Sequence, residues 1–579
     1  MVNVKNLFGM AVMATALVGC SSNDNLAPDG KDNVGKAGTA YAKFTIQLPT
    51  VSGTRTAGDP EFNGGTADEY AVNDAQLVIF QKSGASEGEY QFVETVNIGN
   101  LEPWSDQTPA NQGVTRYANI TAQLKGVSLD KTGNEYFALF ILNNEGQSKV
   151  KLPTSGTYSA WNVANNATSA ADFLNSDNGF YMANAPLYST GEPTTLVPIK
   201  GVYSTKAEAQ TNPATTVYVE RGMAKVTVNG SDFTIDDASS TYNTDKVTIN
   251  NWTLDVLNKS TFPVHVTTGL KTDFDAIWTT PRFVATSTPQ RVYWGKDPNY
   301  NKSTLTTVEE CQKEFYIVDH NGNTYNGDPS STFTWSANTT PLYCLENTFD
   351  LDNMKQGQTT RVVFKATYTP HNLTGTDKTF FMIGNNTQIW TKDALVAQIT
   401  SKAKEMRKST AVVVTINTDA PLLKGGSHLL SSADVTIKDG SVDLTETFDY
   451  ATLNTKLGLN NTEKDANGNP TVGIKTYENG ECYYIARIKH FNELTPWASG
   501  NPTYKDPLLT DAQNNKNFLG RYGVLRNNWY DLTVSKVSAP GYPDVPVVNP
   551  DVPDDEDTKF INVEVKILDW AKRSQSIDL

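Results

Sequence analysis

The chain has 579 residues, a formal net charge of −15 and a sequence pI near 4.9. That length allows two to four domains, and the acidity argues against nucleic acid as a partner. Hydrophobic residues make up 38% and aromatics 10%. With abundant Thr, Tyr, Asn and Ser, this suits half-buried strands joined by polar turns and argues against a helical bundle.

The N-terminus reads as an export signal. Lys5 supplies positive charge, and Leu7 to Val18 form an apolar block too short to span a bilayer. The block runs into Leu17-Val18-Gly19-Cys20, where small residues before a cysteine suit a lipoprotein signal peptidase. The sequence thus predicts a signal peptide over 1–19, lipidation of Cys20 and anchoring at an outer membrane, since several acyl chains anchor stably where one is marginal. No later stretch is apolar enough for a transmembrane helix. Ser21 to Thr39 is polar and rich in Gly, Asn and Asp, as a flexible tether would be.

Tyr41 to Pro49 is an amphipathic strand pattern, with Ala42, Phe44, Ile46 and Leu48 alternating with Lys43, Thr45 and Gln47. A Gly-rich loop, Thr50 to Gly65, follows and exposes Arg55 to proteolysis. The pattern by itself also fits a permanent edge strand with Arg55 an ordinary loop residue. Ala75–Phe80 and Tyr136–Leu142 are apolar on both faces and read as central strands. Val217 to Val228 reads as one strand, with a domain boundary in the polar turn residues Gly230 to Asp237. Val362–Tyr368, Ala411–Ile416 and Tyr483–Ile488 read as further strands. Asn321-Gly322 and Asp439-Gly440 read as hairpin turns. One helix stands out, Asp393 to Met406, with Leu395, Ile399, Ala403 and Met406 on one stripe. Cys311, Cys344 and Cys482 lack C-x-x-C spacing. A Cys311–Cys344 bridge and isolated buried thiols are both open readings.

Ala539 to Thr558 is dense in proline and acid. At about 3.1 Å per residue, an extended spacer of this kind could reach roughly 60 Å. It leads to Phe560–Asp569, where Ile561, Val563, Val565 and Ile567 face one way and Asn562, Glu564 and Lys566 the other. Leu568 and Trp570 break the alternation, as a bulge or a second short strand would. Such a strand needs a partner sheet, its own or a neighbour's.

Catalysis and metal binding find little support. His265, His320, His371, His428 and His490 are scattered, with no H-E-x-x-H or G-x-S-x-G, and Gly425–His428 reads as a loop. Asp319–Asn323 and Asp465–Asn469 place glycine at the fourth position, where a calcium loop wants it at the sixth, so they read as turns. No enzyme activity, cofactor or metal is expected. The rival to a structural role is a surface glycan-binding lipoprotein, with Trp104, Trp161, Trp252, Trp278, Trp294 and Trp335 as stacking candidates.

Several segments together resemble the Bacteroidales fimbrillin family, the subunits of type V pili. They are Gly179–Asn184, Val219-Glu220-Arg221-Gly222-Met223-Ala224-Lys225-Val226, Arg526-Asn527-Asn528-Trp529-Tyr530-Asp531-Leu532, the Pro/Asp spacer, and Phe560–Trp570 with the ending Asp578-Leu579. The C-terminal segment is the specific one; roughly 270–350 matches nothing in the family pattern. The resemblance implies an all-β chain of two β-sandwich, transthyretin-like domains with a few short helices. The expected layout is signal peptide 1–19, lipidated propeptide 20–55, N-terminal domain 56–232, C-terminal domain 233–538, and linker with donor strand 539–579. It further implies that an arginine-specific surface protease cuts between Arg55 and Thr56. The placeholder strand (Ala42, Phe44, Ile46, Leu48) then leaves, and the donor strand of another copy (Phe560, Ile561, Val563, Val565, Ile567, Trp570) fills the groove. The expected partners are further copies, tip and anchor subunits, and the outer membrane before cleavage. A chain with both Arg55 and a donor strand is favoured as a stalk subunit over a tip or accessory one, within a cell-surface fimbria that supports adhesion.

Overall fold

A computed structural model describes residues 39–49, 65–101, 105–106, 114–129, 135–164, 168–277, 283–285, 287, 289–464, 470–490, 519–520, 522–554, 561–568 and 573–574. The fold is all-β with few helices. The N-terminal sheet begins with β1 (Ala40–Pro49), and the short helix α1 (Ala67–Tyr70) follows. Then come β2 (Ala75–Gln81), β3 (Gln91–Gly99), β4 (Ser105–Asp106), β5 (Val114–Leu124), β6 (Tyr136–Leu142), β7 (Met182–Asn184) and β8 (Thr215–Arg221). The strand order is β3-β2-β6-β7-β8-β1-β5-β4, with Val197–Pro198 also pairing β6. The sheet curls on itself, so that Phe44 of β1 meets Phe140 of β6 edge to face, with ring centroids 5.3 Å apart. β2 and β6 are buried on both faces, as their unbroken apolar runs predict. Leu77, Ile79, Ala138 and Phe140 enter the core beneath β1, whereas Val78, Phe80, Leu139 and Ile141 enter a second core that reaches Leu345.

The predicted single strand Val217–Val228 is two strands. The chain leaves the first sheet at Arg221, turns at Gly222 and Met223, and enters a new one as β9 (Ala224–Asn229). A Cβ at Gly222 would stand 2.4 Å from the Phe173 ring, so the crossing is built for glycine. The two sheets therefore part a few residues before the polar stretch 230–237.

The C-terminal part continues with β10 (Asp232–Thr234), β11 (Lys246–Asp255), β12 (Leu342–Cys344) and β13 (Arg361–Thr369). An inserted unit carries β14 (Phe380–Ile383), α2 (Lys392–Arg407), β15 (Val412–Ile416), β16 (Gly426–His428), β17 (Val435–Asp439), β18 (Val442–Asp443), α3 (Tyr450–Lys456) and β19 (Ile474–Tyr477). It is followed by β20 (Glu481–Arg487), β21 (Trp529–Val537), β22 (Ile561–Leu568) and β23 (Arg573–Ser574). A five-stranded sheet, β12-β9-β21-β22-β23, faces a four-stranded one, β10-β11-β13-β20. Between them lie Val226, Val228, Trp252, Leu254, Phe364, Tyr368, Tyr484, Tyr530 and Leu532, the core of a sandwich.

The inserted unit stands between β13 and β20, which pair directly with one another, and it has its own core. Its helix α2 is the predicted one. Thr391 caps it by accepting from the Ala394 amide, Leu395, Ile399 and Ala403 are buried, Met406 is partly buried, and Lys408 ends it in the left-handed region. Asp439-Gly440 closes the hairpin β17–β18 as predicted. Gly426–His428, expected as loop, pairs with β19.

Candidate functional site

β1 is not an edge strand. It pairs antiparallel with β5 from Ala40↔Leu124 to Pro49↔Val114, and parallel with β8 from Phe44↔Thr215 to Gln47↔Tyr218. Ala40, Ala42, Phe44 and Ile46 are 0% exposed and Leu48 1%, while the alternate residues Tyr41, Lys43, Thr45 and Gln47 are half-buried on the other face. There, Thr45 donates to Asn119 Oδ1 at 2.7 Å and Lys43 to the Gln210 carbonyl at 3.0 Å. The alternation was legible in the sequence. The two walls were not, because they come from about 70 and 170 positions away. Arg55, Thr56 and Cys20 lie outside the described residues.

Downstream of that loop the chain is pinned. Glu69 of α1 lies 2.6 Å from Lys225 Nζ and accepts from the Tyr343 hydroxyl at 2.6 Å, and its carbonyl accepts from Arg221 Nε at 2.7 Å. Burial would raise the Glu69 carboxyl, but the Lys225 and Tyr343 hydrogen bonds outweigh it and hold it below the ordinary carboxylate range. The two motifs that carried the resemblance meet at this point. Asn527 Oδ1 accepts from the Arg221 amide at 3.0 Å, the Asn527 amide donates to the Met223 carbonyl at 2.7 Å, and Lys225 lies 3.8 Å from the Trp529 ring centroid. Glu69 and Asn527 were missed as junction residues; a charged residue next to a Gly-rich loop carries no signal of its eventual partner.

Beside this junction is a buried charge network. His265 lies 3.0 Å from Glu220 and 2.9 Å from Glu346; Arg291 bonds Glu220, and Arg526 lies 3.2 Å from Glu346. Burial pushes the Glu346 carboxyl up, yet Arg526 and His265 bring it down to about 2. Burial disfavours the charged His265 ring, but Glu346 and Glu220 reverse this and raise its pKa. The paired carboxylates make the network a structural clamp, with Glu220 standing on β8, the parallel neighbour of β1.

At the other end, β22 pairs antiparallel with β21 from Trp529↔Leu568 to Val537↔Ile561, within its own chain's sheet. After Leu568 the chain returns as the two-residue β23, which pairs with Lys566 and Ile567, so a second short strand follows the break in alternation. Phe560 and Trp570 lie outside the described residues; Ile561, Val563, Val565 and Ile567 are all within β22.

The spacer is not a free leash. Over residues 539–554 it is packed along the C-terminal domain. Tyr542 bridges Tyr483, Pro553 bridges Lys355, the Gly541 carbonyl accepts from the Tyr477 hydroxyl at 2.9 Å, and the Pro546 carbonyl from Arg361 at 2.5 Å. Val545 and Val548 are 1% exposed in two small cores. The apolar residues between the prolines supply the packing that holds it down.

The remaining candidates sort into structure. Cys311, Cys344 and Cys482 are free and buried, and burial pushes each thiol up to about 12, so the Cys311–Cys344 bridge does not form. Asp319 accepts from the Asn323 and Thr324 amides and from the Thr324 hydroxyl, a turn rather than a calcium loop; Asp465–Asn469 lie outside the described residues. Trp161, Trp252 and Trp294 are 4%, 0% and 3% exposed, so they are core and not sugar platforms. Trp335 is half-buried against Phe333 and Tyr483, and Trp104 and Trp278 lie outside the described residues. His371 bonds Asp245, His490 the Tyr530 hydroxyl and His428 the Lys424 carbonyl. Among the described residues, no group of three or more His, Cys, Asp or Glu could hold a metal ion.

Residues 475–576 match the family described as major fimbrial subunit protein type IV, fimbrillin, C-terminal. This part of the chain is similar to the C-terminal region of the fimbrillins. It contains β20, β21 and β22. Among solved structures, a fimbrilin of Porphyromonas gingivalis W83 is 12% identical with a TM-score of 0.37, covering 93% of this chain and 99% of its own. The tip fimbrial protein Mfa3 of Porphyromonas gingivalis, with a C-terminal truncation, is 11% identical with a TM-score of 0.25, covering 92% and 100%. A fimbrial assembly protein of Parabacteroides distasonis is 10% identical with a TM-score of 0.24, covering 57% and 86%. No curated protein matches the chain. The fimbrillin region agrees with the family to which the motifs pointed, and supports a pilus subunit.

Proposed function

We propose that this chain is the stalk subunit of a type V pilus. It is exported as a lipoprotein on Cys20, cut between Arg55 and Thr56, and polymerised by exchanging its first strand for the C-terminal strand of another copy. The observation that carries the reading is the position of β1, a strand whose apolar face is fully buried, held between β5 and β8 and joined to the rest through the segment that contains Arg55. Its departure would leave a groove with unpaired backbone on both walls and apolar pockets where Phe44, Ile46 and Leu48 had been, a site for β-strand addition. Glu69, pinned to Lys225, keeps the new N-terminal segment from following β1 out.

The order of events has a physical reason. An open groove invites aggregation, so it must be covered during export. While tethered, β1 covers it at an effective concentration near millimolar or above, and an incoming strand loses that competition. Both strands offer four alternating apolar groups, each contributing at most roughly 1.5–3 kcal/mol on burial, so they are near equals and proteolysis decides between them. Head-to-tail donation does not close on itself, which gives filaments. The N-terminal domain then runs from 56 to the sheet crossing at Gly222–Met223, close to the expected 232. The C-terminal domain extends to 538, and 539–579 form the strap and donor strand. Tip and anchor subunits, an arginine-specific surface protease and, before cleavage, the outer membrane complete the set of partners.

The test uses the chain without its signal peptide, alongside a variant ending at Pro550. Both are treated with an arginine-specific protease, then followed by N-terminal sequencing and electron microscopy. A new N-terminus at Thr56, with filaments only from the longer chain, is expected; monomers from both despite clean cleavage would refute the stalk reading.

A further inference from the structure

The inserted unit between β13 and β20 contributes to neither the groove nor the stored C-terminal strand, and it ends in a sheet edge unlike the others. Elsewhere the longer sheets close on short, charged or covered strands. β4, β10, β12 and β23 have two or three residues, β3 carries Glu94, which holds the Lys125 and Gly126 amides, and β20 is covered by the strap at Tyr542. These are the usual protections of an edge. In the three-stranded sheet β15-β17-β18, β15 pairs only with β17 among the described residues. It reads Val412-Val413-Val414-Thr415-Ile416, with no charge, proline or glycine. Val412 and Val414 pack inward with the helix α2, while Val413, 57% exposed, and Thr415 face solvent.

We infer that β15 is a homotypic docking edge, which pairs antiparallel with β15 of a second copy of this chain. The sequence around it fits this occupant. Antiparallel pairing centred on Val414 sets Val412 opposite Ile416 and Val413 opposite Thr415, so inward residues meet inward ones and solvent-facing residues meet their like. The strand has a basic residue before it, Lys408, and an acidic one after it, Asp419, both exposed. Two-fold pairing brings the Lys408 end of each strand to the Asp419 end of the other, so the charge complementarity is satisfied twice. Because the edge is on the inserted unit, it remains available while the groove is capped and equally after strand exchange. It therefore joins subunits side by side, where donation would join them end to end, and does not depend on the donation reading.

The test is made on the purified chain lacking residues 1–20, with the groove still capped. Sedimentation velocity of the parent is expected to show a concentration-dependent dimer. The double substitution Val413→Lys and Thr415→Lys, at exposed positions, is expected to abolish it without shifting the unfolding midpoint. Mixing a Val413→Cys chain with a Thr415→Cys chain under mild oxidation is expected to give a fast intermolecular disulfide, slow in either chain alone; the native thiols are buried and do not compete. A parent that stays monomeric, a dimer that survives the lysines, or cross-linking indifferent to the pairing would overturn the inference. If the lysine variant still forms filaments after cleavage but loses their side-by-side association, the two modes of assembly are separated.

Discussion

The two terminal strands have similar alternation but different settings. β1 is walled by a strand on each side and buries five consecutive inward positions, whereas β22 pairs with β21 on one side and, among the described residues, with the two-residue β23 on the other. Removing β1 opens the middle of a sheet; removing β22 shortens a sheet at its end. The difference teaches that the two strands are stored unequally. On the proposed strand exchange, the strand that leaves is built in so firmly that a covalent cut is needed, and the strand that is donated is held where its release does not break up a sheet.

The largest expected effect sharpens that contrast. A chain that starts at Thr56 and has its donor strand removed is expected to lose soluble, folded protein, whereas a chain truncated at Pro550 with β1 in place is expected to remain folded, as measured by circular dichroism and gel filtration. Equal loss in both would erase the difference. Next comes Phe44→Ala. Phe44 is fully buried against Phe140, so truncation is expected to cost about 3–5 kcal/mol in denaturant unfolding of the uncut chain. Glu69→Gln leaves Lys225 buried without its counter-charge and is expected to cost about 3 kcal/mol. After cleavage the same variant is expected to free the 56–70 segment to further proteolysis, which mass spectrometry would detect.

A pH dependence is also expected at the junction. The pKa of His265 is raised in the folded chain, so its stabilisation is complete below 6.5 and is lost as pH rises through the raised value. Asp297, whose burial lifts it to about 7, penalises folding increasingly as pH climbs from about 3.8 to that value. Glu346, held near 2, contributes stability above its ordinary 4.5 that is lost only as pH falls toward 2. Stability is therefore expected to decline from pH 5 to 8, and His265→Gln with Asp297→Asn to flatten the slope in thermal melts. A slope unchanged by both substitutions would place the titrating groups elsewhere.

Local pattern carried much of the fold. The alternation of Ala42 to Leu48, the two-faced burial of Ala75–Phe80 and the stripe of α2 were legible because period and burial are properties of neighbours in sequence. What was not legible depended on distant partners. The sequence marks Val219–Val226 and Arg526–Leu532 as motifs but not that Arg221 and Asn527 touch across 306 positions. A charged pair inside a strand, Glu220-Arg221, was the one hint that a buried ion network waited there. The Val217–Val228 pattern hid a sheet change because Gly222 breaks direction without breaking apolarity. The spacer was misjudged for a related reason. Its prolines and acids predict a free extended leash, but Tyr542, Val545 and Val548 dock it where composition averages them away.

The central claim, that β1 is a removable strand over a groove shaped for another, is tested most directly by hydrogen exchange at the amides of β5 and β8. Exchange would be followed before cleavage, after cleavage, and after adding a peptide of residues 560–570. Protection over 114–124 and 215–221 is expected to be strong at first, to fall when β1 is released, and to return with the peptide. Protection that stays unchanged when β1 is gone, or that the peptide fails to restore, would contradict it.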